Sequence, residues 1–239
     1  MKKSIGRILF TLAVVGMAAR SDASVLTIPP GLNGGDTYRL VFVTSTTTNA
    51  TSNNIGYYNT FVTNVADAVP ELFDLGATWT VIGSTDSVSA VTNIGTTTSG
   101  IYTLDGNEVA SSTAALFNTG ATDLLSPIDI DPQGNTTAFT LRVWTGSTST
   151  GGPTNLASLG CCIDSAIGIA GITNHAYLAG DFANNNTTYS LYAISSEITV
   201  APEPNTIGLA ALGGAILLLA QRRKQPNHIA TRTDRTPLS

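Results

Sequence analysis

The sequence predicts an α+β domain, exported ahead of a single C-terminal transmembrane helix. Three observations carry this. Apolar, β-branched runs (YRLVFV at 38–43, LRVWT at 141–145) have strand character. Between them Ile55, Tyr58, Phe61, Val62, Val65 and Val69 recur at helical spacing. At the far end an apolar run, 206–220, lies between two prolines and a basic cluster.

Taken in order, the chain starts with Lys2, Lys3 and Arg7 before an apolar stretch at 8–19, and Ser21-Asp22-Ala23 offers small residues for cleavage. That is the layout of a signal peptide, predicted over 1–23, with signal peptidase as partner. The exported body is predicted over 24–200. It holds two basic residues, Arg39 and Arg142, against thirteen acidic ones, a net charge of −11. Such a surface excludes nucleic acid as a partner, because phosphate contacts need a basic face. Its wealth of Thr, Ser, Asn and Gly suits an exported β-rich domain with long polar loops.

Within the body, 38–43 is predicted as a buried strand and 55–69 as a helix capped by Asn53 or Asn54. Pro70 interrupts it, and a second short helix runs to Gly76. A strand at 79–82 precedes a Ser/Thr/Asn-rich loop. Asp105-Gly106-Asn107 marks a hairpin between 101–104 and 108–110. One or two helical turns follow at 112–117, then an extended piece at 127–131, a turn at 132–135 and the strand at 141–145. The loop 146–153 is flexible in composition, and extended segments at 191–194 and 197–200 close the domain.

Few motifs carry chemistry. Asp129, Asp131 and Asn135 lie in a D-x-D-x-x-G-x pattern that would offer oxygen ligands to calcium, the cofactor such a loop takes. Gln133 and Thr140 stand where further carboxylate or amide ligands belong, which favours a solvated turn capped by Asp131. Cys161 and Cys162 are adjacent. A bridge between neighbours closes only a small ring, so free or buried thiols are the expected state. Bonding to another chain and a vicinal bridge are the alternatives. Cys162 with His175 would make a nucleophile and base only if folding joined them, and a surface histidine is the expectation. No hydrolase elbow, metalloprotease helix or phosphate loop is present, so the body is expected to be non-catalytic. Trp79 and Trp144 sit in apolar strands and are expected in the core rather than stacked on sugar rings.

The C-terminal stretch 201–224 has three ordered parts. Pro202-Glu203-Pro204 fixes φ and removes donors. As a helix, 206–220 would be about 22 Å long, against roughly 30 Å of hydrocarbon, so insertion is marginal. Arg222, Arg223 and Lys224 hold the following side in the cytoplasm. This order resembles the PEP-CTERM sorting signal of bacterial exported proteins. The resemblance implies recognition by a membrane-embedded exosortase at Pro202, Glu203, Pro204, Arg222, Arg223 and Lys224, removal of the helix, and delivery to the cell surface or extracellular matrix. Residues 225–239, beyond the basic cluster, are expected to form a disordered cytoplasmic tail.

The body has a resemblance of its own. YRLVFVTSTT, IYTLDGNEVASSTAALF, SPIDIDPQGN and RVWTGS are similar to an uncharacterised exported bacterial domain. The resemblance implies a C-type-lectin-like or endostatin-like fold, with a mixed, mainly antiparallel sheet, one or two helices, and pairing of the first and last strands. The function expected from both resemblances is structural or adhesive. A glycan-binding module that meets extracellular polysaccharide, with calcium where lectins of this type use it, is the alternative. A hydrolase ranks below both.

Overall fold

In the computed structural model the described residues are 25–118 and 123–202. The signal segment, the 206–220 helix, the 225–239 tail and five of the sorting residues (Glu203, Pro204, Arg222, Arg223, Lys224) lie outside them. No helix among the described residues is long and apolar enough to cross a membrane. The described residues fall into two units, 25–31 with 37–198, and 32–36 with 199–202.

The larger unit is α+β, with a mostly antiparallel sheet and few helices. Its strands are β1 (Thr37–Val43), β2 (Trp79–Val81), β3 (Gly100–Thr103), β4 (Glu108–Ala110), β5 (Arg142–Trp144), β6 (Asp164–Ile169), β7 (Asp181–Asn184) and β8 (Ser190–Ser195). They run across the sheet as β4-β3-β1-β8-β5-β6-β7, with β2 also paired to β8. The β1–β3 and β5–β8 pairs are parallel, and the other pairs along this path are antiparallel.

The central position of β1 explains its sequence. Leu40, Val41, Phe42 and Val43 are all fully buried, so both faces of the strand are covered and a strict alternation would fail. Its long-range partner is β8, with Val41 opposite Ile194 and Val43 opposite Tyr192. The first long strand and the last long strand therefore lie side by side.

Helix α1 (Ile55–Asp67) starts where Asn54 accepts a hydrogen bond from the Gly56 N–H at 2.9 Å. Its buried face, Tyr58, Val62 and Ala66, packs toward β2. The short α2 (Pro70–Phe73) begins with proline, whose missing N–H costs nothing at a helix start. The 105–107 turn joins β3 to β4, with Gly106 at φ +87°.

The sequence reading missed one helix, two strands and the 3₁₀ turn His175–Tyr177. Helix α3 (Ala90–Ile94) lies inside the Ser/Thr/Asn-rich loop, capped by Ser89 and held to α1 and β2 by Asn93, which donates to the Val81 carbonyl at 2.8 Å. Strands β6 and β7 occupy a stretch where no strand was expected. Helix α4 (Thr113–Leu116) does follow the expectation, with Ser112 as its cap.

Trp79 and Trp144 are core residues, at 2% and 0% exposure. The Trp144 Nε1–H donates to the Thr48 carbonyl at 3.0 Å, so its one polar group is satisfied inside.

The smaller unit closes on itself. The Gly35 N–H donates to the Val200 carbonyl, and the Val200 N–H donates to the Asp36 carbonyl, both at 2.9 Å. Pro202, the one described sorting residue, is packed so near Gly34 that a Cβ there would meet its Cα at 2.7 Å.

Candidate functional site

A cleft of about 580 Å³ opens beside α3 and α4. Val91, Ala114 and Phe117 give it an apolar floor, and Thr97, Thr98 and Glu197 give it a polar wall. Gly151 allows this floor. A Cβ at that position would fall 2.5 Å from the Phe117 ring and 2.8 Å from Val91, so any larger residue would displace the floor.

The wall is built by local hydrogen bonding. Gly95, at φ +72°, ends α3 and turns the chain into 96–99. Thr113, at the start of α4, then clasps this loop. Its hydroxyl accepts from the Thr97 N–H at 3.1 Å and donates to the Gly95 carbonyl at 3.2 Å.

Glu197 receives two hydroxyl groups on one oxygen. Thr97 Oγ1 donates to Oε1, and Ser99 Oγ donates to the same atom at 2.8 Å. Ser99 has a single proton and spends it there. Thr37 Oγ1, 2.6 Å from Ser99 Oγ, must therefore be the donor in that pair. The result is a directed chain, Thr37 to Ser99 to Glu197, joined by Thr97 from the other side.

This chain sets the charge of the carboxylate. The Glu197 carboxyl is held below the ordinary glutamate value, first by the Thr97 hydroxyl and next by Ser99, with the charge of Arg39 the smallest contribution. Arg39 is itself 4% exposed, and its Nε–H donates to the Ser195 carbonyl at 2.6 Å. Burial lowers its pKa, and Glu197 draws it part of the way back. Glu197 is thus an ionised acceptor at neutral pH. A general acid for glycoside cleavage needs the opposite shift.

A carboxyl with a lower pKa in the folded state contributes stability above its unfolded value, and loses that contribution as pH falls through the folded one. Glu197 is exposed, so solvent keeps the effect small. Thermal unfolding of Glu197→Gln against wild type should therefore differ at neutral pH and converge as pH falls below the ordinary glutamate value. A gap that persists unchanged to low pH would place the effect elsewhere.

The sequence-expected metal residues have other employment. The Asp131 carboxylate accepts from the Gln133 N–H at 2.9 Å and the Asn135 N–H at 2.8 Å, and the Asn135 amide donates to both its oxygens. It caps the turn. The Asp129 carboxyl is raised, by burial first and then by the charge of Asp105. Among the described residues no group of three His, Cys, Asp or Glu side chains converges as a metal site.

The cysteines require a correction. Cys161 and Cys162 form a disulfide with each other rather than standing as free or buried thiols. Cys162 is exposed and Cys161 half-buried. A bridged Cys162 supplies no thiolate, and His175 is exposed in a single 3₁₀ turn, His175–Tyr177.

The sequence reading missed the cleft because its polar wall joins residue 97 to residue 197. Threonines in a polar loop and a glutamate in a closing strand carry no signal of meeting. No protein-family model matches the chain, and no curated protein is detectably similar to it.

Proposed function

We propose that the chain is an exported, non-catalytic protein of the cell surface or extracellular matrix, delivered through a PEP-CTERM-type signal and acting there in a structural or adhesive role. The observation that carries the reading is the ordered C-terminal series in the sequence: Pro202-Glu203-Pro204, a short apolar run, then Arg222, Arg223 and Lys224. An exosortase would read these residues, and signal peptidase would process the other end. A lysine-free acidic body with a disulfide suits an oxidising exterior. The finer fold proposed is C-type-lectin-like or endostatin-like, supported by the adjacency of β1 and β8. Replacing Pro202, Glu203 and Pro204 by alanine should leave an unprocessed, membrane-retained precursor, seen as a larger band in the membrane fraction. Unchanged size and location would reject the sorting reading.

A second reading is favoured by the cleft. An apolar floor beside an ionised carboxylate and threonine hydroxyls is suited to sugar hydroxyls and the carbon faces between them. The ligand would be a stretch of extracellular polysaccharide. A glycan screen with and without calcium tests this, and Thr97→Val should weaken any binding found by about 2- to 13-fold, the range for one lost neutral hydrogen bond. No binding under either condition rejects it.

A further inference from the structure

The Cys161–Cys162 bridge does little that a structural disulfide does. Cross-links stabilise chiefly by shortening the loops open to the unfolded chain, and the benefit grows with loop length. This one joins neighbours and closes the smallest loop the chain allows.

Its flanks are also secured without it. On one side the Gly160 N–H donates to the Ala50 carbonyl at 2.8 Å, and a Cβ on Gly160 would lie 2.1 Å from the Ser52 carbonyl carbon, so two backbones touch there. On the other side the Asn185 N–H donates to the Ile163 carbonyl at 2.9 Å, and its side-chain amide donates to the Cys162 carbonyl at 2.5 Å. Asn185 is 9% exposed and belongs to the body rather than to the loop. The cysteine pair is thus a short outward step between two fixed points, and breaking the S–S bond leaves both points in place.

We propose that Cys161–Cys162 is a surface thiol-exchange site for small thiols. An external thiolate attacks Cys162 Sγ, on the more exposed of the two residues. The S–S bond breaks, and its electron pair leaves on Cys161 Sγ, which takes up a proton. A mixed disulfide now joins Cys162 to the incoming thiol. Because its flanks are fixed, Cys161 stays within reach and can expel the adduct by the reverse attack. Alternatively a second external thiolate attacks the mixed disulfide. It releases one oxidised small-molecule disulfide and leaves two protein thiols, so two electrons pass from two thiols to the bridge. The chain has no other cysteine, so exchange stays at this pair. Exposed Asp164 and the acidic body repel an anionic attacker, which makes small cationic thiols the favoured class. The site draws on the export reading only for an oxidising compartment, and a test on purified protein separates the two.

The test uses the full chain, purified in detergent, oxidised with a mild thiol oxidant and then exposed under native conditions to cysteamine or glutathione. Acid quenching and mass spectrometry read the adducts. We expect no free thiol after oxidation, a single adduct on Cys162, and several-fold faster reaction with cysteamine than with glutathione at low salt, with the gap closing as salt rises. The adduct should be transient in wild type. Cys161→Ser has no bridge to attack, so it is loaded instead with cystamine, whose disulfide Cys162 opens with release of one cysteamine, and the resulting adduct should persist because no neighbouring thiol can expel it. Reduction of wild type should move Tm by less than about 3 °C, since a bridge without a loop adds little. Free thiols that persist through oxidation, adducts that form only in denaturant, or a Tm drop above about 10 °C on reduction would each overturn the proposal.

Discussion

Gly168→Ala is expected to destabilise the protein by at least about 3 kcal/mol, enough to abolish folding in a domain of ordinary marginal stability. The site is mid-strand in β6, where the backbone passes under the 3₁₀ turn. A Cβ built there would lie 1.7 Å from the Tyr177 carbonyl oxygen and 2.5 Å from its carbon. Both are backbone atoms, so no rotamer change relieves the clash. Tyr177 cannot retreat either. It is fully buried, and its hydroxyl donates to the Leu116 carbonyl at 2.6 Å. Gly152→Ala is the matched control. Its nearest neighbour is the Thr148 hydroxyl at 3.4 Å, an ordinary contact, and it should cost less than about 1 kcal/mol. Urea midpoints of the two variants test the pair. Equal midpoints would mean that β6 does not pass where the structure places it.

Trp144→Ala should cost about 3–5 kcal/mol. The indole is wholly buried in β5, and its ring centroid lies 4.9 Å from that of Tyr189. Truncation leaves a cavity that a strand held between β6 and β8 cannot collapse to fill. The hydrogen bond is a smaller part of the loss. The Thr48 carbonyl that receives the indole N–H also accepts from the Tyr189 N–H at 3.0 Å, so it is not orphaned. Trp144→Phe should therefore cost about 1–2 kcal/mol, separating ring volume from the N–H. A denaturation series that finds alanine and phenylalanine equally harmful would assign the loss to the hydrogen bond instead.

How far the sequence could be read depends on where each signal lies. Asn54, the 55–69 spacing and Pro70 specify two helices within a few residues of themselves, and the structure has both, the first ending at Asp67. Asp105-Gly106-Asn107 specifies a turn in the same local way. Strand β6 has no such signal. DSAIGI contains a glycine that weakens strand propensity and is present only because Tyr177 crosses it. Helix α3 was hidden for a similar reason. AVTNI is a poor helix by propensity, and its support comes from the Ser89 cap and from Asn93 reaching β2. The candidate site is the extreme case. Thr37, the 97–99 loop and Glu197 come from distant parts of the chain, and none of these residues alone marks a site.

The position of β1 bears on when the chain can fold. Its register with β8 joins Val41 to Ile194, so the earliest strand to emerge waits for nearly the last. Pairing with β3 can begin once residue 103 is out, but the opposite side of β1 stays open, with Leu40 to Val43 still wet. High contact order makes folding slow, and here completion of the sheet waits on the C-terminal part of the body.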